Sequence, residues 1–227
     1  MTTEERKRRG IVNIESDFLL LGDPCYTLHG ETAKKSLGVE DISDLGSRMA
    51  DAPDNIITES AAMVFPVRPG VWMVEATEID DGAWGQRIAR LRITGEILTS
   101  GIRRREVGVA FVDAGLMMVS DPAKTMFNPD PAIFGTGWSN LGGTGHGRTF
   151  CDILEAYEKT TGQKCATFFP VGGGAAVVTG TGCGDGSYPV TVEIGTDGYV
   201  QAIEIDFYAE DEDEWLDALE DDDEEEL

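Results

Sequence analysis

The chain has 227 residues, with 42 acidic side chains against 18 basic ones and a formal charge of −24. That length can bury a full core, and the 41% hydrophobic content is that of a globular protein. Direct binding of duplex nucleic acid is not expected, because phosphate contacts need clustered Lys and Arg, and no apolar run is long enough to suggest a membrane span.

The first ten residues, MTTEERKRRG, form a short basic start without the apolar core of a signal peptide. They are expected to be a solvated N-terminal extension. Ile11 to Ile14 and Phe18 to Leu21 then read as a short strand pair. Ile42, Leu45 and Met49 share one helical face, although Gly46 interrupts it. Met63 to Val67 and Val71 to Ile79 flank the turn dipeptide Pro69-Gly70, and Ala89, Leu91 and Ile93 alternate with Arg90 and Arg92. Val107, Val109 and Phe111 alternate before the turn Asp113-Ala114-Gly115, with Leu116 to Val119 behind it.

Residues 121 to 147 are rich in Gly, Pro and Asn and read as a long ordered loop. Phe150, Ile153, Leu154 and Tyr157 then make one apolar stripe at helical spacing, with Thr149 as N-cap and Gly162 as the stop. Ala166 to Val171 and Ala175 to Thr179 flank a run of three glycines. The clearest hairpin comes last. Val190, Val192 and Ile194 alternate with polar residues, and Ile203, Ile205 and Phe207 do so beyond the turn Gly195 to Gly198. About eleven strands are expected, and no internal repeat stands out. The expected fold is mainly β (a β-rich α+β fold), with antiparallel hairpins forming a sandwich or open barrel and one packed helix. Residues 11–208 would be its single domain, and 209–227 an acidic C-terminal tail.

Cys25, Cys151, Cys165 and Cys183 include no CxxC pair and are expected to be reduced. Cys25 and His29 have a C-x3-H spacing, but no second pair completes a zinc site. Gly142 to Thr149 resembles a phosphate-cradling loop, except that Arg148 stands where that loop needs Lys. His29 and His146 are the two histidines, so a Cys–His pair would need one of them beside Cys25 or Cys151.

Three segments carry more weight together: Asp23-Pro24-Cys25-Tyr26, Val112-Asp113-Ala114-Gly115 and Gly184-Asp185-Gly186-Ser187-Tyr188-Pro189. Each places an Asp at a strand end beside Gly or Pro. One reading is turn chemistry, in which the carboxylates accept backbone N–H groups. The other gathers Asp23, Asp113 and Asp185 around a divalent cation for metal-assisted hydrolysis, with Cys25 or Ser187 nearby. No other cofactor is expected.

In this order, and followed by the hairpin that ends in Ile203 to Phe207, the segments resemble an uncharacterised bacterial and phage family, a domain of unknown function. The resemblance extends loosely over residues 11 to 208. It implies a bacterial or phage origin and no established activity.

Residues 210–227 hold 13 acids and no base, which leaves −11 of the −24 on the rest of the chain. Trp215, Leu216 and Leu219 lie among these acids, with Trp215 and Leu219 on one helical face. Such a segment can solvate the protein or dock into a basic-rimmed groove. The expected function is therefore a cytoplasmic binding protein (in the host cytoplasm if phage-encoded). It would act as an inhibitor or decoy of a basic, nucleic-acid-handling protein, without membrane association. A hydrolase and an accessory structural protein with a solubilising tail are the competing readings.

Overall fold

The computed structural model describes residues 5–82, 85–96, 98–137, 148–161 and 168–208. The segment from Gly142 to Gly147 with His146, the helix stop Gly162, Cys165, and the tail residues Trp215, Leu216 and Leu219 lie outside the described residues.

Among the described residues, twelve strands form two six-stranded antiparallel sheets. They are β1 (Arg6–Ile14), β2 (Phe18–Gly22), β3 (Ile57–Glu59), β4 (Ala62–Pro66), β5 (Gly70–Asp80), β6 (Gln86–Gly95), β7 (Arg103–Val112), β8 (Leu116–Ser120), β9 (Phe168–Val171), β10 (Ala176–Gly180), β11 (Gly186–Ile194) and β12 (Val200–Asp206). One sheet has the order β1-β5-β6-β12-β11-β7 and the other β3-β4-β2-β8-β10-β9.

A single core between the sheets draws Trp72, Val74 and Ile203 from the first and Leu21, Phe65 and Val177 from the second. The fold is thus a β-rich sandwich. Its second sheet carries a helical layer on its other face, made of α1 (Pro24–Thr27), α2 (Glu31–Leu37), α3 (Ile42–Ala50), α4 (Pro131–Phe134) and α5 (Phe150–Thr161).

The alternation seen in the sequence decides which face each side chain takes. In β5, Trp72, Val74 and Ala76 are buried, while Val71, Met73 and Glu75 point outward. The outer face of the first sheet is a charge ladder. Arg9, Glu75, Arg92 and Glu204 are consecutive cross-strand partners, and Arg92 bridges Glu204 at 2.9 Å and Glu193 at 3.0 Å. The basic start is not an extension. Arg6 to Gly10 belong to edge strand β1, where Lys7 and Arg9 pair with Glu75 of the neighbouring strand.

α5 begins as expected: the Thr149 N–H donates to Asp152 Oδ2 at 2.7 Å, and the Asp152 N–H donates back to Thr149 Oγ1. Phe150 and Leu154 are buried, whereas Ile153 and Tyr157 are half-buried. α3 forms despite Gly46, because an Asp41–Asp44 capping box starts it and Leu45 and Met49 bury its face. Two readings change. The segment expected as loop holds a π-helical turn, Ala123–Phe127, and α4. Three of the turns also cross between sheets instead of closing hairpins, so β1 and β2 do not pair, nor do β4 and β5 or β7 and β8.

Those crossings reveal a repeat that the sequence conceals. Adding six to every strand number of β1–β6 reproduces β7–β12, and both sheet orders then read backwards into themselves. The halves are related by a pseudo-twofold axis. It passes between Leu21 and Val119 in one sheet and between Arg92 and Glu204 in the other, since these pairs map onto themselves while their neighbours exchange. Asp23-Pro24-Cys25-Tyr26-Thr27 corresponds to Asp121-Pro122-Ala123-Lys124-Thr125. The buried rings agree as well: Trp72 Nε1 donates to the Arg68 carbonyl, and Tyr188 OH donates to the Gly184 carbonyl, each four residues back.

Candidate functional site

The three Asp segments do meet, at one end of the sandwich. Asp23 follows β2 and is fully buried. Its Oδ1 accepts the Cys25 N–H at 2.7 Å, and its Oδ2 accepts the N–H groups of Asp113 and Ala114 at 2.8 and 2.7 Å. The carboxylate therefore ties the start of α1 to the turn before β8. Gly115, the last residue of that turn, lies against Gly184 and Asp185, and Val112 pairs with Gly186.

This geometry is turn chemistry, and the metal reading fails on it. Asp23 is committed to three backbone donors, and no group of three or more His, Cys, Asp or Glu among the described residues could hold a metal ion. The exposed Asp113 accepts the Tyr26 hydroxyl at 2.7 Å, Asp185 is exposed beside Gly115, and Ser187 is half-buried on a neighbouring cleft wall. Asp23, Asp113 and Asp185 do not form a cation cage.

Nucleophilic chemistry finds little support. Burial pushes the Cys25 thiol well above its usual range, and its hydrogen bond to Asp23 pushes the same way. Cys151 is also raised, first by burial and then by the charges of Asp152 and Glu155. Both shifts favour the thiol over the thiolate that covalent catalysis uses. Cys25, Cys151 and Cys183 are all free. His29 takes a left-handed φ of 61° and buries Nε2 without a hydrogen-bond partner. Desolvation lowers its pKa against the opposing pull of backbone at Phe134 and Gly135, so the ring is neutral at pH 7.

Beside the meeting point lies an open cleft of about 440 Å³, lined by Tyr26, Thr32, Ser60, Phe111, Asp113 and Ser187, among others. The hydrogen bond to Asp113 raises the Tyr26 hydroxyl to about 12, with burial adding to it. The phenol is thus a fixed neutral donor.

No family model, curated protein or solved structure matches this chain.

Spacing alone did not disclose the counterpart of Asp23. Asp121 follows β8 and is likewise fully buried. It accepts the N–H groups of Glu15 and Ser16 at 2.7 and 2.9 Å and that of Ala123 at 2.8 Å. Thr27 and Thr125 each donate a hydroxyl to the carbonyl of the Asp four residues earlier. The D-P-x-x-T pattern behind a short apolar run is the signal that could have found this pair. Lys124 and Glu15 are the counterparts of Tyr26 and Asp113, and they pair at 2.6 Å.

Proposed function

We propose that this protein is a binding protein for a basic protein partner of the nucleic-acid-handling class, acting as an inhibitor or decoy in the cytoplasm. The observation that carries the reading is the C-terminal segment, with 13 acids and no base in residues 210–227 around Trp215, Leu216 and Leu219. Dense acid charge presents a nucleic-acid-like potential to a basic groove, and the apolar residues supply contact that salt does not screen. A binding role also fits a body whose central carboxylate Asp23 serves turns and whose Cys25 is held as a thiol. Among the described residues, no helix is long and apolar enough to cross a membrane.

The test is calorimetric titration with a Lys- and Arg-rich peptide, and inhibition assays against purified basic nucleases. The full chain, a chain ending at Ala209 and the Trp215→Ala variant are compared at low and physiological salt. The full chain should bind and inhibit, with affinity falling as salt rises, because the Debye length shrinks to about 8 Å. Truncation should abolish binding while leaving the melting temperature of the body unchanged. Trp215→Ala should weaken binding without any change of charge. Equal binding by all three proteins would refute the reading and leave the segment as a solubilising tail.

A further inference from the structure

The two halves of the chain supply an internal comparison, and one difference between them bears on the cleft. In the second half, the turn between β9 and β10 runs over four residues, from Gly172 to Ala175. It reaches Asn13, which donates its backbone N–H to the Gly174 carbonyl at 2.8 Å and its side-chain amide to the Gly173 carbonyl. In the first half, the equivalent turn between β3 and β4 has only two residues, Ser60 and Ala61. The residue that corresponds to Asn13 is Phe111, since Asn13 pairs with Val71 as Phe111 pairs with Ser187. The shorter turn leaves Phe111 uncovered, with 45% of its surface exposed. The cleft of about 440 Å³ is the space so opened.

The charge pattern differs at the same place. Glu15, in the closed half, is neutralised by the Lys124 ammonium at 2.6 Å. Its counterpart Asp113 faces the Tyr26 hydroxyl instead, which donates to Oδ2 but brings no positive charge. No Lys or Arg among the described residues pairs with Asp113. Thr32, Ser60 and Ser187 line the same cleft and bring hydroxyl oxygens that can accept from a donor.

We propose that this cleft is a binding site for an organic cation, an alkylammonium or guanidinium group that takes at Asp113 the place Lys124 takes at Glu15. The cation would pair with the Asp113 carboxylate, whose orientation Tyr26 fixes. It would lie against the Phe111 ring, whose face attracts positive charge. Its remaining N–H groups would meet the hydroxyls of Thr32, Ser60 and Ser187. The charge of −11 on residues 1–209 favours cations and disfavours phosphates and carboxylates at such a site. A free amine and a basic side chain of a polypeptide share this chemistry. The site lies on the body, so it stands whether or not the acidic C-terminal segment binds a partner.

The experiment is calorimetric titration of the full chain with n-butylammonium and with agmatine, using n-butanol as the neutral control. Both cations should bind, with affinity falling as salt rises, and the alcohol should not. Asp113→Asn keeps an acceptor for Tyr26 and should weaken binding by on the order of tenfold. Phe111→Ala should weaken it about threefold or more. Glu15→Gln, at the equivalent position of the closed half, should leave it unchanged. A peptide with a single arginine that binds more tightly than agmatine would assign the site to a polypeptide side chain, and the reverse order to a free amine. No binding of either cation at millimolar concentration, equal binding of n-butanol, or wild-type affinity in both the Asp113→Asn and Phe111→Ala variants would overturn the proposal. None of these outcomes depends on residues 210–227, so failure here and failure of the acidic segment are separately visible.

Discussion

Asp23 and Asp121 stand on opposite sides of the pseudo-twofold axis, and each clasps the other's half. Asp23 leaves β2 and holds the turn before β8 through Asp113 and Ala114. Asp121 leaves β8 and holds the turn before β2 through Glu15 and Ser16. Because β2 and β8 are adjacent in the second sheet, the two carboxylates lock the crossings from β1 to β2 and from β7 to β8. Each carboxylate is buried with three backbone donors, an arrangement worth having only when every donor is satisfied.

Substituting either residue should therefore be costly. Asp23→Ala or Asp121→Ala leaves three backbone N–H groups without their acceptor. The expected loss is about 3 kcal/mol or more in each case, measured as a shift in urea midpoint at constant slope. A loss below about 1 kcal/mol would mean that water replaces the carboxylate at little cost.

Core and surface should respond very differently within the first sheet. Trp72 is only 2% exposed and donates Nε1–H to the Arg68 carbonyl, so Trp72→Ala should cost ~3–5 kcal/mol. Arg92 bridges two glutamates, yet its side chain is 38% exposed. Arg92→Ala should cost no more than about 1 kcal/mol, and less at high salt. Chemical denaturation of both variants at two ionic strengths makes the comparison.

Stability should fall at alkaline pH with Tyr26 as one cause. Its hydrogen bond to Asp113 raises the hydroxyl from an ordinary 10.0 to about 12. The folded state thus holds the proton more tightly than the unfolded chain does. The stabilisation is fully present below pH 10.0 and is lost as pH rises through about 12. Tyr208, raised to about 12 by burial and by its bond to Asp81, acts in the same direction. Across that window Tyr26→Phe should lose less stability than the wild type, as urea midpoints at stepped pH would reveal.

Thiol reactivity should rank by exposure and ionisation. Cys183 is exposed, whereas Cys25 is half-buried with its thiol pushed far up by burial and Asp23. Iodoacetamide at mildly alkaline pH should label Cys183 before Cys25, as peptide mass spectrometry would resolve. Faster labelling of Cys25 would show that the Asp23 turn opens readily.

Much of the fold was legible in the chain because side chains alternate in strands and recur every three to four residues in helices. Val190, Val192 and Ile194 against Ile203 and Ile205 specified the hairpin of β11 and β12. The stripe from Phe150 to Tyr157, with Thr149 and Asp152 at its head, specified α5. These are local facts, set by neighbours in sequence. Which strands pair across a turn is not local. Glu15-Ser16-Asp17 and Asp113-Ala114-Gly115 look like hairpin turns, yet each carries the chain from one sheet to the other.

The repeat was hidden for a related reason. Outside D-P-x-x-T and a few positions such as Gly10 and Gly108, the halves keep the same register, save for a bulge beside Gly108, with different side chains, and register is a property of pairing. The candidate site divides in the same way. The sequence alone determined that Asp23, Asp113 and Asp185 sit at turns. Only the tertiary structure decided that Asp23 is consumed by backbone donors ninety residues away while Asp113 keeps its charge open to a cleft. The physical reason is that a carboxylate's chemistry depends on which N–H groups reach it, and those arrive from strands that only folding brings together.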